Sequence, residues 1–182
     1  MQNTIKSLNE FLSDLNVFYR KLQNYHWNIE GKSFFVFHAK LEEYYDQVNE
    51  QIDEIAEHIL ALGYQPLGTM QDFMKNSEIQ EAKNERIKSI PIIKNLIQDL
   101  EILKQKAVKI KEEAEKQSDY ATSALMDNYL GNYSKKLFNS CKRKRRRHYF
   151  LKENSRRWNR RKLWYTCCET CRSSECCSKK CK

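Results

Sequence analysis

Apolar residues in the first part of the chain recur at three- and four-residue spacing: Leu8, Phe11, Leu12, Leu15, Phe18, Tyr19 and Leu22. They line one face of a helix with 3.6 residues per turn. The stretch Asn28 to Lys32, with Gly31 inside it, predicts where that helix stops. A second stripe runs through Phe34, Phe37, Leu41, Tyr45, Val48, Ile52, Ile55, Ile59 and Leu62. Gly63, Pro66 and Gly68 then open a longer crossover, with a short helix expected near Met70 to Lys75. After Pro91 the alternation returns at Ile93, Leu96, Leu100, Leu103, Ala107, Ile110 and Ala114, and Ser118 or Asp119 is placed to cap a last helix through Ala121, Leu125, Tyr129 and Tyr133. Two helical hairpins joined by a long crossover predict an all-α four-helix bundle.

Composition narrows this further. With 4 Gly and 2 Pro in 182 residues and 31% charged side chains, the turn chemistry of an all-β sandwich or barrel is missing. The apolar runs are too short to cross a membrane, and the start Met1-Gln2-Asn3-Thr4-Ile5-Lys6 lacks the charged-then-apolar layout of a secretion signal. A soluble cytoplasmic protein is the expectation. The net charge of +9 points to nucleic acid until it is divided by position: residues 138–182 carry 16 Lys/Arg and 3 Glu, net +13, and residues 1–137 are net −4. All 7 cysteines also lie after Leu137. Two kinds of sequence meet there, a 1–137 helical domain and a 138–182 basic, Cys-rich tail.

Two clusters in the first hairpin carry chemistry. His26 falls near the end of the first helix and His38 near the start of the second, so a tight turn around Gly31 brings both imidazoles to a similar height. Asp53 and Glu57, at i and i+4, put two carboxylates on one face, about 6 Å apart along the axis. His38 and Asp53 are separated by fifteen positions of one helix, roughly 22 Å at 1.5 Å per residue, so one chain cannot close a site from both clusters. Two hairpins packed antiparallel across a two-fold axis can, and symmetry then makes two equivalent sites. Imidazole with carboxylate suits ferrous iron, with manganese or zinc as substitutes. No Glu-x-x-His occurs, which excludes the ordinary intrachain di-iron arrangement. His58, on another face from Glu57, is expected to be exposed. Glu42, Glu43 and Asp46 form an acidic patch fit either for nucleating mineral or for plain solvation.

These residues resemble a family. His26-Trp27, then Gly31, Phe35, His38 and Tyr45, then Asp53-Glu54-Ile55-Ala56-Glu57 and the turn Ala61-Leu62-Gly63-Tyr64-Gln65-Pro66-Leu67 are similar to the Dps mini-ferritins, the DNA-binding proteins from starved cells. The spacings of 12, 15 and 4 between His26, His38, Asp53 and Glu57 match that family's ferroxidase motif in order and type. The resemblance spans residues 1–137. It implies a ferritin-like four-helix bundle, a dodecameric shell built from dimers, and iron sites at the dimer interface. There hydrogen peroxide oxidises ferrous iron, which is stored as ferric mineral, and DNA is spared oxidative damage. His26 and His38 would ligate iron from one subunit and Asp53 and Glu57 from its mate, with Trp27 beside the site to intercept oxidising equivalents. Two departures stand out. The family's last apolar helical turn is replaced by Phe138-Asn139-Ser140-Cys141 and basic residues. Of the acidic pattern that lines iron-entry pores, Asp119 and Thr122 fit, Ala124 stands where Asp is frequent, and Asp127 is the substitute.

The tail supports three readings. Lys142, Arg143, Lys144, Arg145, Arg146 and Arg147, followed by further arginines interleaved with Trp158, Trp164 and Tyr165, suit phosphates and stacked bases, so nonspecific DNA binding is one expectation. A nucleoid architectural protein with little redox activity is the corresponding rival function. Cys168-x-x-Cys171 and Cys177-x-x-x-Cys181 offer zinc ligands at spacing short for a ribbon or finger. Finally, the tail has no Ala, Val, Gly, Asp, Ile, Met, Gln or Pro, the kind of composition an out-of-frame reading of a Glu/Lys-rich helix end produces. A segment like this buries no core, and disorder is the expectation.

Overall fold

A computed structural model describes residues 2–153, and the side chains of residues 2–140. Among the described residues five helices and two very short strands follow in order: α1 Gln2–Asn28, β1 Ile29–Glu30, α2 Phe34–Ala61, α3 Met70–Asn76, β2 Ile87–Lys88, α4 Ser89–Glu115 and α5 Tyr120–Glu153. The four long helices carry the core. Leu8, Phe11, Leu12, Leu15, Phe18 and Leu22 of α1 meet Leu41, Val48, Ile55 and Ile59 of α2, Ile92, Leu100, Leu103 and Ile110 of α4, and Met126, Tyr129 and Tyr133 of α5 in one buried cluster. Each such side chain contributes about 1.5–3 kcal/mol when fully removed from water, so the stripes seen along the chain are what join the helices.

Helix ends follow local chemistry. The Tyr64 amide bonds the Ile59 carbonyl at 3.1 Å while Gly63 takes φ +84°, a left-handed closure that needs no β-carbon there. Thr69 caps α3 by accepting the Asp72 amide, which confirms the short helix expected in the crossover. Asp14 ties that crossover down. Its carboxylate, wholly buried in α1, accepts from Ser77 Oγ at 2.9 Å and from the Glu78 and Ile79 amides at 2.7 and 3.2 Å, and pairs with Lys106 Nζ of α4 at 2.5 Å. A second buried pair, Lys21 with Asp99, joins α1 to α4 at 2.8 Å. Burial raises the Asp99 pKa, and Lys21 opposes the rise. The two strands pair in parallel, Ile29 with Ile87 and Glu30 with Lys88, and so fasten the α1–α2 turn to the entrance of α4.

The compositional break at Leu137 is not a helix end. Lacking Gly and Pro, and rich in Lys and Arg that tolerate helix well, the segment continues α5 to Glu153, and Ser140 is still buried. The side chains of Cys141 onward, and everything from Asn154, lie outside the described residues, so the expectations for the tail cysteines, the basic run and tail disorder fall there. No described helix is long and apolar enough to cross a membrane.

Candidate metal centre

The α1–α2 turn sets the histidines. Gly31 adopts φ +101°, and its carbonyl accepts the Phe34 amide at 3.0 Å as α2 begins. The chain doubles back sharply enough to stack the two imidazoles, with His26 and His38 ring centroids 3.6 Å apart and their planes 22° from parallel. Phe34 stacks on His38 at 4.9 Å, and Tyr45 stands edge-on to His26 at 5.4 Å. His26 Nδ1 lies 2.9 Å from the His38 carbonyl oxygen, and His38 Nδ1 lies 2.9 Å from the His26 carbonyl oxygen. A carbonyl only accepts, so both Nδ1 atoms carry hydrogen and donate. In the neutral rings both Nε2 atoms therefore keep a lone pair. A ligating histidine is commonly oriented in this way, by a backbone carbonyl on its other nitrogen.

The carboxylates stand elsewhere. Asp53 and Glu57 are exposed on α2, one helical turn apart. Among the described residues, no three His, Cys, Asp or Glu side chains of the single chain come together in a metal-binding group. Large apolar side chains accompany both clusters into solvent: Trp27 is 62% exposed, Phe35 84%, Val36 63% and Leu60 58%. A surface like this is typical of one awaiting a partner.

Glu42, Glu43 and Asp46 are exposed on α2, and Glu43 is paired with Lys40, which holds its carboxyl below the usual range. Asp119 caps α5, accepting the Thr122 amide at 3.1 Å. Asp127 pairs with Lys111 at 2.6 Å. Both pore candidates thus already hold protein partners. His58 corrects its expectation: it is half-buried, with Nε2 at 2.7 Å from Thr122 Oγ1, because it points along the α2–α5 interface while Glu57 points outward. The side chains of Lys142, Arg143, Lys144, Arg145, Arg146 and Arg147 lie outside the described residues.

Sequence reasoning gave Gln51, Glu54 and Tyr45 no individual role. Glu54 accepts the Tyr129 hydroxyl at 2.5 Å, and Gln51 accepts that of Tyr133 at 3.2 Å. Burial raises both tyrosine pKa values, with the Glu54 carboxylate adding to the rise at Tyr129. The available signal was two tyrosines on the core stripe of α5, since a buried hydroxyl needs a polar partner. Tyr45 entered only as part of a motif, and its place against His26 depends on how α2 lies on α1.

A ferritin-like domain matches residues 5–138. The DNA protection during starvation protein of Listeria monocytogenes is 30% identical over 137 residues, 75% of this chain and 88% of that one. The protein of the same name from Porphyromonas gingivalis is 37% identical over 131 residues, 72% and 82% of the two chains. Among solved structures, a Dps protein from Vibrio cholerae O1, described as a member of a broad superfamily of ferritin-like diiron-carboxylate proteins, superposes with a TM-score of 0.74 at 35% identity, covering 76% of this chain and 87% of its own. The fold of the bundle is that of these ferritin-like proteins, and the chain belongs to the Dps family.

Proposed function

We propose that the protein is a mini-ferritin that oxidises ferrous iron with hydrogen peroxide at sites shared between two subunits, stores the product, and thereby protects DNA. One observation carries the reading: a stacked pair, the buried His26 and the half-buried His38, whose Nδ1 atoms bond each other's main-chain carbonyls and leave each neutral ring an Nε2 lone pair, on the same hairpin as the exposed Asp53 and Glu57. Two imidazoles and two carboxylates form a donor set suited to ferrous iron, which is the substrate. Each half-site lacks what the other holds, so a two-fold mate completes it, and twelve subunits in a closed shell would enclose the stored mineral.

The carboxylates attract the divalent ion and offset the positive charge it gains on oxidation. The Nδ1–H bonds hold the rings so that Nε2 meets the ion without reorganising. Two ferrous ions give one electron each, and peroxide takes both with two protons and leaves as two waters. Trp27, exposed and next to His26 in the chain, is the proposed reductant for stray oxidising equivalents. Glu42 and Asp46 would offer acidic points for mineral growth. Removing ferrous iron and peroxide together removes the reactants that damage DNA, which agrees with the names of the relatives.

A second reading rests on the charge division, net +13 after Leu137 against −4 before it: DNA compaction through the tail, with little redox activity. Anaerobic ferrous loading followed by measured additions of peroxide separates the two. The ferroxidase reading expects two irons oxidised per peroxide, much faster than in buffer, and loss of that rate in both His26→Ala/His38→Ala and Asp53→Asn/Glu57→Gln. Unaltered rates in both variants would overturn it.

A further inference from the structure

Three polar ties run along the α2–α5 interface. Tyr133 donates to Gln51 at 3.2 Å and Tyr129 donates to Glu54 at 2.5 Å. At the end of α2, His58 Nε2 meets Thr122 Oγ1 at 2.7 Å, and Thr122 Oγ1 meets Asp119 Oδ2 at 2.5 Å. The Thr122 hydroxyl has one hydrogen and the Asp119 carboxylate only accepts, so that hydrogen goes to Asp119 and His58 Nε2–H donates to the hydroxyl. Positions 51, 54 and 58 follow i, i+3, i+7 and share one face of α2. The α5 partners are buried, Tyr133 and Thr122 completely and Tyr129 to 3% exposure. Breaking any tie therefore strands a polar group away from water.

Apolar packing tolerates a helix turning slightly about its own axis, but directional bonds do not. Asp53 and Glu57 each precede a tied residue by one position, about 100° around the helix. A 20° rotation of α2 would carry a carboxylate about 2 Å sideways at a side-chain radius of 5–6 Å, well beyond the ~0.5 Å tolerance of a working site. We infer that Glu54 and His58 are positioning residues of the metal centre, which set the rotation of α2 through Tyr129 and Thr122 of α5 and so aim Asp53 and Glu57 at the subunit mate. This rests on the reading above that Asp53 and Glu57 ligate the ion.

The test is cobalt(II) titration of the full-length, assembled protein, read by its visible d–d spectrum. Thr122→Val keeps the shape of the side chain and removes the hydroxyl, whereas Thr122→Ser keeps the hydroxyl. His58→Ala cuts the same tie from the half-exposed side, where the core is not disturbed. Thr122→Val and His58→Ala are expected to weaken cobalt binding by about tenfold, as loss of a supporting partner does at metal sites, and to alter the d–d bands. Thr122→Ser is expected to bind and absorb like the unaltered protein. Asp53→Asn/Glu57→Gln is the control: if it binds cobalt normally, the ligand assignment fails and not this inference. If that control loses binding while assembled Thr122→Val and His58→Ala retain normal affinity and spectrum, the positioning role is overturned.

Discussion

His26 and His38 each donate Nδ1–H to the other's main-chain carbonyl oxygen, at 2.9 Å in both directions. The consequence is mutual dependence. Neither ring has its tautomer set by its own helix, and each is aligned by the backbone of the other. The candidate centre and the α1–α2 turn are therefore one structural unit, and a change at either histidine frees a carbonyl beside the other.

Complementation in mixed shells follows from the division of the donors. A His26→Ala/His38→Ala chain and an Asp53→Ala/Glu57→Ala chain should each oxidise ferrous iron poorly. When the two are co-assembled, every mixed dimer holds one complete site and one stripped site, so peroxide-dependent oxidation should return in part. Purified mixed shells no more active than either parent would show that the four residues do not meet across subunits.

Asp14 should be a stability residue without a catalytic part. It is 0% exposed and holds Ser77, two crossover amides and Lys106. Asp14→Ala leaves the crossover amides without their acceptor and Lys106 with only the longer 3.7 Å pairing to Glu78, a loss of about 3–5 kcal/mol for breaking a buried pair. Urea denaturation should register that loss, while cobalt affinity below the transition should stay near normal. A midpoint unchanged by the substitution would contradict the clamp.

Lys136 predicts how stability varies with pH. Burial, and then the charge of Lys40, bring its pKa down from 10.5 to about 8, with Glu43 opposing. The unfolded amine keeps the ordinary value, so between pH 8 and 10.5 the unfolded chain binds more protons and stability rises with pH. Below pH 8 the full penalty applies, on the order of 3 kcal/mol. Above pH 10 the raised pKa values of Tyr129 and Tyr133 act in the opposite direction. Lys136→Met should therefore raise Tm at pH 7 and flatten the rise between pH 8 and 10. A parallel pH profile in the variant would refute this.

Truncation after Ser140 removes all 16 basic tail residues and leaves a net charge of −4 on the rest. If the tail carries DNA binding, the full chain should bind duplex tightly at low salt, with log affinity falling by about 0.9 per phosphate neutralised for each decade of salt. The truncated protein should not bind. Equal affinity of the two at matched salt would move DNA binding to the body. The tail thiols should also crosslink the full chain in air and not under reducing conditions, which a non-reducing gel checks.

Much of this molecule follows from periodicity. The 3.6-residue stripes determine which faces of α1, α2, α4 and α5 are buried, and Gly31, Gly63 and the crossover residues determine where the helices stop. The separation of His38 from Asp53 by fifteen positions is enough to require a second chain for a shared site. Period, however, specifies a face and never a partner. That His26 bonds the carbonyl of His38, that Asp14 reaches the crossover amides, that His58 turns to Thr122 and that Asp127 is taken by Lys111 all depend on the relative height and rotation of packed helices. These contacts are directional and short-ranged, and a shift of an ångström or a rotation of 20° that leaves the apolar pattern unchanged would exchange one partner for another. Tertiary structure alone decided them, because the height and rotation at which the helices finally pack select which polar atoms come within bonding distance.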